Sequence, residues 1–154
     1  MLADSNILIY SINRSSPKHK KAQKFLENNV NNLEVAHQNI FETIRVLTHP
    51  KFPEPMEIDQ AWDATLNILN GCRIISPNYL TYQIALELIK KYKLASNKIF
   101  DAYLAATALA NGIDTIATDN TKDFQKIKEI KTVNPFIVSV YSKKSAAPKK
   151  PPMF

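Results

Sequence analysis

Five acidic side chains carry the chemistry open to this sequence: Asp4, Glu42, Asp101, Asp119 and Asp123. Asp4 follows a minimal apolar run at residues 1–3, and Asp119 follows the buried-type run Thr115-Ile116-Ala117-Thr118. Asp123 comes one short step later. Asp101 lies in the first turn of an alanine- and leucine-rich stretch in which Phe100, Leu104 and Ala108 recur at helical spacing. Glu42 flanks another helical pattern, near enough to Arg45 for the two to pair with each other. Taken singly, each acid has an ordinary explanation. An aspartate in a first turn complements the helix dipole, and an aspartate after a strand is turn chemistry. Together, with no histidine or cysteine beside them, they specify a hard cation. Mg²⁺ or Mn²⁺ would be held by a few acid oxygens, with water in the other positions. Such an ion activates water and stabilises charge growing on a phosphoryl group. The reaction class this predicts is metal-assisted phosphodiester hydrolysis.

Those acids must be brought together by the elements around them. Short apolar runs at residues 1–4, 33–36, 73–75, 115–118 and 137–140 read as strands. Between them lie helical patterns. Ser5 or Asn6 is expected to cap a helix through Ile7, Leu8 and Tyr10. Pro17 is expected to open a second helix, with Ala22, Phe25 and Leu26 inward and Lys18, Lys20, Lys21 and Lys24 outward. Residues 38–48 place Ile40, Phe41, Ile44 and Leu47 at helical spacing, ended by His49-Pro50. Residues 58–69 offer Ala61, Trp62, Thr65, Leu66 and Leu69 as a core face, and residues 79–92 offer Ile84 and Leu88. Residues 99–111 form the helix of Asp101, with Gly112 as its stop signal. An acidic loop is expected after residue 118. Alternating strands and helices predict an α/β/α sandwich with a central, mostly parallel sheet. In such sheets ligands bind outside the carboxyl ends of the strands. Asp4 and Asp119 fall at such ends, and Asp101 begins a helix that faces the same edge.

Length and composition bound the alternatives. The 154 residues, 45% of them apolar, suit one domain over residues 1–141 with a basic tail over 142–154. No run reaches the ~20 apolar residues of a membrane span. No signal-peptide pattern opens the chain, so the expected location is cytoplasmic. Cys72 stands alone, which excludes a disulfide framework and a thiolate metal cluster. The net charge is +6, and Lys143, Lys144, Lys149 and Lys150 supply the tail's share with no acid among them. The first 142 residues then hold 16 basic and 14 acidic groups. If five acids converge, the remaining surface of that body is basic. An acidic pocket in a basic surface suits a polyanion handled through metal ions. Competing motifs are weak. Gly71 and Gly112 are the only glycines, so no phosphate-cradling loop exists. His19, His37 and His49 are too scattered for a zinc pattern. No serine sits in a nucleophile elbow. Asn6 stands where an aspartyl-phosphate phosphatase needs a second aspartate.

These residues resemble a known pattern. Asp4-Ser5-Asn6 is similar to the opening D-[ST]-N of PIN-domain nucleases, and Glu42 in NIFETIRVLTHP to that family's helical glutamate. Residues 45–50 resemble a sub-group of bacterial toxins within it. Phe100-Asp101-Ala102-Tyr103-Leu104-Ala105-Ala106 resembles the D-A-x-[LI]-A-A helix. Thr118-Asp119-Asn120 with Asp123-Phe124 resembles the closing motif T-x-[ND]-x-x-[DH]-F. The resemblance runs from residue 1 to about residue 140, and its four motifs come in the family's order. It implies a PIN-like fold and a VapC-like toxin: an Mg²⁺- or Mn²⁺-dependent endoribonuclease neutralised by a small antitoxin. It implies Asp4, Glu42, Asp101 and Asp119 as an acidic quartet, with Asp123 a nearby fifth. Asp4 and Asp101 would be the direct metal ligands, and Asn6 and Thr118 would orient carboxylates. A homodimer with two sites flanking an RNA-binding groove is a further expectation. The lysine-rich tail has no counterpart in the family pattern.

Three rival readings fit the sequence less well. A catalytically inactive PIN-fold module that binds RNA or protein has little use for four clustered acids. A DNA-directed nuclease of the wider fold would carry insertions that this chain lacks. A phospho-signalling receiver would want a lysine after its last strand, where Tyr141 stands.

Overall fold

The computed structural model describes residues 1–137, and its organising strand is its first. β1 (Leu2–Ala3) pairs in parallel with β2 (Glu34–Ala36) on one side and β4 (Thr115–Ala117) on the other. β3 (Arg73–Ile75) extends the β2 side, and β5 (Lys131–Val133) extends the β4 side. The order is β3-β2-β1-β4-β5, and every pairing is parallel. The chain therefore winds outward from β1 in one direction, then returns to wind outward in the other. That reversal beside β1 is where a parallel sheet opens a crevice at its carboxyl edge.

Between the strands lie α1 (Ser5–Ile12), α2 (His19–Asn28), α3 (His37–Leu47), α4 (Ile58–Leu69), α5 (Thr81–Tyr92), α6 (Lys98–Ala110) and α7 (Thr121–Phe124). Side chains alternate across the sheet as the pleat requires. Leu2, Ala36, Ile75 and Ile116 face a core shared with α5 and α6. Ala3 and Val35 face a second core with Leu8, Leu33 and Leu69. The result is the expected α/β/α sandwich. Leu2 and Ile116 are wholly buried, each stabilising the fold by roughly 1.5–3 kcal/mol. On α6, Ala102, Ala105, Ala106 and Ala108 are buried, and their small side chains let the helix lie close to its neighbours.

Several details differ from the sequence expectation. Asp4, rather than Ser5 or Asn6, caps α1, its Oδ1 accepting from the Ser5 amide at 2.8 Å. α2 begins at His19, after a turn that holds Pro17 and Lys18. The acidic loop after Thr118 contains the short helix α7. The last described strand is β5, not residues 137–140: Ile137 lies in a bend, and 138–140 fall outside the described residues, as does the tail. β5 has an exposed Lys131 and a largely exposed Val133, so no apolar run announces it. Trp62 and Leu66 were expected in the core face of α4 but lie on its exposed flank, while Ala61, Thr65 and Leu69 point inward. Phe41 and Phe100 are likewise exposed.

The end of α6 gives a direct test of the backbone. Gly112 has φ +74°, with its amide donating to the Leu109 carbonyl and the Ile113 amide donating to that of Ala108. A Cβ there would meet nothing within 4 Å, so only the left-handed backbone resists a side chain. Gly112→Ala should cost about 1 kcal/mol in denaturant unfolding. A variant as stable as the parent would show that this turn relaxes freely.

Candidate active site

The crevice at the sheet's carboxyl edge is an open cleft of about 680 Å³. Asp4, Glu42, Asp101 and Asp123 all line it, together with Ser5, Asn6 and Asn120. Each arrives from a different element. Asp4 leaves β1, and its amide donates to the Ala117 carbonyl at 2.9 Å, which ties the ends of β1 and β4 together. Glu42 projects from the middle of α3, Asp101 from the first turn of α6, and Asp123 from α7.

Asp4 is the most constrained of the four. Its Oδ1 accepts from the Ser5 amide, and its Oδ2 accepts from Thr118 Oγ1 at 2.7 Å and Asn6 Nδ2 at 3.0 Å. Asn39, wholly buried on α3, adds a longer contact at 3.4 Å. Ser5 Oγ links this carboxylate to the next, donating to Glu42 Oε2 at 3.1 Å. Burial pushes the Asp4 carboxyl above its ordinary pKa. The Thr118 and Ser5 hydrogen bonds oppose that, and the charges of Glu42 and Asp101 reinforce it. Asp101 is raised for the same leading reason, burial, against the pull of Lys98 and with the push of Asp123 and Glu42. Two acids held reluctant to ionise by lost solvent and like charge make a pocket that favours an added cation.

One member of the expected quartet lies elsewhere, and the expected fifth acid, Asp123, stands in the cleft in its place. Asp119 does not line the cleft. Its carboxylate is paired with Lys18, accepts from the Tyr10 hydroxyl at 3.1 Å and contacts Asn134 Nδ2 at 3.3 Å. Burial raises its pKa, but the Lys18 and Tyr10 bonds outweigh that and leave it below the usual value. Lys18 was expected on an outward face. Instead its ammonium lies 5.3 Å from the ring centres of Tyr10 and Phe136 and closes this cluster. Asp119 thus fastens α1, the turn before α2 and the segment after β5 to one another. Its amide also donates to Asn6 Oδ1 at 3.1 Å, which sets the Asn6 side chain against Asp4. The anticipated Glu42–Arg45 pair is long, at 3.9 Å between largely exposed groups.

Sequence reasoning missed Ser5 as a bridge, buried Asn39, Asn120, and Lys98, which contacts Asp101 and Asp123. The signals were present. Asn39 is a polar residue on the inward side of α3, and Lys98 precedes Asp101 by one helical turn.

The donors facing the cleft are hard oxygens, with no thiolate or imidazole among the lining residues. That chemistry fits Mg²⁺ or Mn²⁺. Among the described residues no three acids stand close enough together to ligate one ion directly. Mg²⁺ needs only one or two carboxylates and keeps several waters, for which the cleft has room.

The PIN domain family model matches residues 1–130. The chain belongs to the PIN domain family. Among characterised PIN proteins it is similar to Ribonuclease VapC24 of Mycobacterium tuberculosis, 28% identical over 132 residues, covering 79% of this chain and 86% of that protein. A toxin-antitoxin complex from Klebsiella pneumoniae contains a chain of the same fold, with TM-score 0.63 and 24% identity over 88% of this chain and 97% of that one. VapBC2 from Rickettsia felis, bound to a DNA fragment from its promoter, has TM-score 0.65 and 20% identity over 86% and 96%. The sandwich described above is therefore the PIN fold.

The position of Asp119 generates a prediction opposite to that for a metal ligand. Asp119→Asn should lower stability by about 1–2 kcal/mol at neutral pH, the smaller end reflecting partial exposure of Lys18. The loss has a defined pH window. A carboxyl whose folded pKa is depressed stabilises the fold above its unfolded pKa, about 3.9. That stability vanishes as pH falls through the folded value, so the two proteins should converge in acid. Urea unfolding between pH 7 and pH 3 measures this. Equal stability at pH 7 would show that the cluster contributes nothing.

Proposed function

We propose that this chain is an Mg²⁺- or Mn²⁺-dependent endoribonuclease, the toxin of a toxin–antitoxin pair, that hydrolyses RNA phosphodiester bonds. The observation that carries the reading is the convergence of Asp4, Glu42, Asp101 and Asp123 on one cleft at the carboxyl edge of a PIN-domain sheet. The ribonuclease name of the similar VapC24 supports it. Asp4 and Asp101 would hold the ion. The ion, when bound, supplies activation of water and stabilisation of negative charge at the phosphate. The protein's own groups do the rest. Thr118, Asn6, Ser5 and Asn39 hold the Asp4 carboxylate in one orientation. Glu42 and Asp123 face the cleft where they can orient a water or receive its proton. In this reading Asp123 takes the fourth place and Asp119 serves the scaffold.

The toxin reading requires an inhibitor. Ile9 on α1 lines the acidic cleft, and one turn later Ile12 lines a second groove of about 530 Å³ with Phe52, Met56 and Ile68. An antitoxin peptide lying in that groove can place an arginine or lysine among the acids. Exposed Tyr79, Tyr82, Leu86 and Phe100 on and around α5 and α6 supply an apolar surface suited to a homodimer. No helix among the described residues is long and apolar enough to cross a membrane, which accords with a cytoplasmic site of action.

The purified protein should cleave RNA with Mg²⁺ or Mn²⁺ and stop in excess chelator. Asp4→Asn and Asp101→Asn should each reduce cleavage more than about 100-fold while the fold is retained. Asp119→Asn, assayed where it is folded, should keep most activity. Undiminished cleavage in chelator, or by Asp101→Asn, would place the chemistry elsewhere.

A further inference from the structure

Lys98 borders the proposed site, contacting two of its acids without lining the cleft, and has no part in the reaction described so far. It is the first residue of α6, and its Nζ lies 3.3 Å from Asp101 Oδ2 and 2.7 Å from Asp123 Oδ1. The contact with Asp101 is the ordinary pairing of residues one turn apart. The contact with Asp123 is not local, because that acid belongs to α7. A lysine beside one carboxylate on a helix surface normally points to water. Here it is drawn across to a second carboxylate on a different element.

The four cleft acids therefore divide into two pairs. Asp4 and Glu42 are joined through Ser5, whose amide donates to Asp4 and whose hydroxyl donates to Glu42. Asp101 and Asp123 are joined through the Lys98 ammonium. Hydrolytic sites that use two ions hold them about 3.5–4 Å apart, each ion needing its own set of acid oxygens. In this chain the oxygens of the second set already share a resident cation. We propose that the Lys98 ammonium takes the place of a second divalent ion, so that this site binds one divalent ion, between Asp4 and Asp101, with Asp101 shared between that ion and Lys98. Lys98 then supplies fixed positive charge on the other side, independent of metal concentration. A lysine is a compact point charge with three donors, which suits it to bridging two carboxylates. This inference rests on the metal-dependent reading above and specifies its stoichiometry.

The test counts bound Mn²⁺, and activity is not its readout. Mn²⁺ is titrated into the full chain by calorimetry, and free Mn²⁺ is followed by electron paramagnetic resonance. The parent protein should take up one ion per chain. Lys98→Met keeps the stem and removes the charge, and the partly exposed position tolerates it. That variant should take up two ions. Lys98→Arg should return to one, and so should Lys98→Met combined with Asp123→Asn, which locates the second ion. A parent that binds two ions overturns the inference, as does a Lys98→Met protein that binds one or none. In those cases the metal reading stands, because the parent still binds. A parent that binds no Mn²⁺ at all, with Lys98→Met equally empty, removes the metal reading and this inference with it.

Discussion

The site depends on keeping a carboxylate at the centre of a parallel sheet. Asp4 follows the central strand, where solvent is scarce and two other acids stand nearby. A charge in such a place is costly unless its oxygens are met by donors. Thr118, Asn6 and the Ser5 amide meet them. Those donors come from the end of β4, the start of α1 and the same capping turn, so the hydrogen bonds that make Asp4 tolerable also fix the switch point of the sheet. The remaining strain is electrostatic and points one way, toward binding a cation.

That arrangement explains why the neighbouring residues are polar and short. Ser5 must give its amide to the Asp4 cap and its hydroxyl to Glu42. Asn6 serves three partners at once: Asp4, Thr118 and the Asp119 amide. The Asp119 cluster with Lys18 and Tyr10 lies one layer further out and acts on the site through Asn6. Asp119 has a lysine to itself, whereas Asp4 has hydrogen-bond donors and no cation, and Asp101 shares its lysine with Asp123.

Much of this was legible in the sequence. Asp4 and Asp101 could be placed because a strand end and a helix start each have a fixed direction relative to a parallel sheet. Glu42 could be placed through its resemblance to the family's helical glutamate, since the apolar spacing of α3 puts it only on the flank beside Arg45. The choice between Asp119 and Asp123 was not legible. It turns on the direction of a helix of four residues and on Lys18, a partner 101 residues away whose neighbours are outward-facing lysines. β5 escaped notice because an edge strand with exposed Lys131 and Val133 carries no apolar signal. Trp62, Phe41 and Phe100 fit an apolar pattern yet are exposed, since spacing marks a helix face but not whether another element covers it.

The proposal that the cleft acids, and not Asp119, bind the ion turns on where a bound ion sits. Anomalous diffraction from crystals soaked in Mn²⁺ tests it most directly. A peak is expected between Asp4 and Asp101, beside Glu42, with Asp119 still paired to Lys18. A peak on Asp119 with Lys18 displaced, or no peak in the cleft at saturating Mn²⁺, would contradict it.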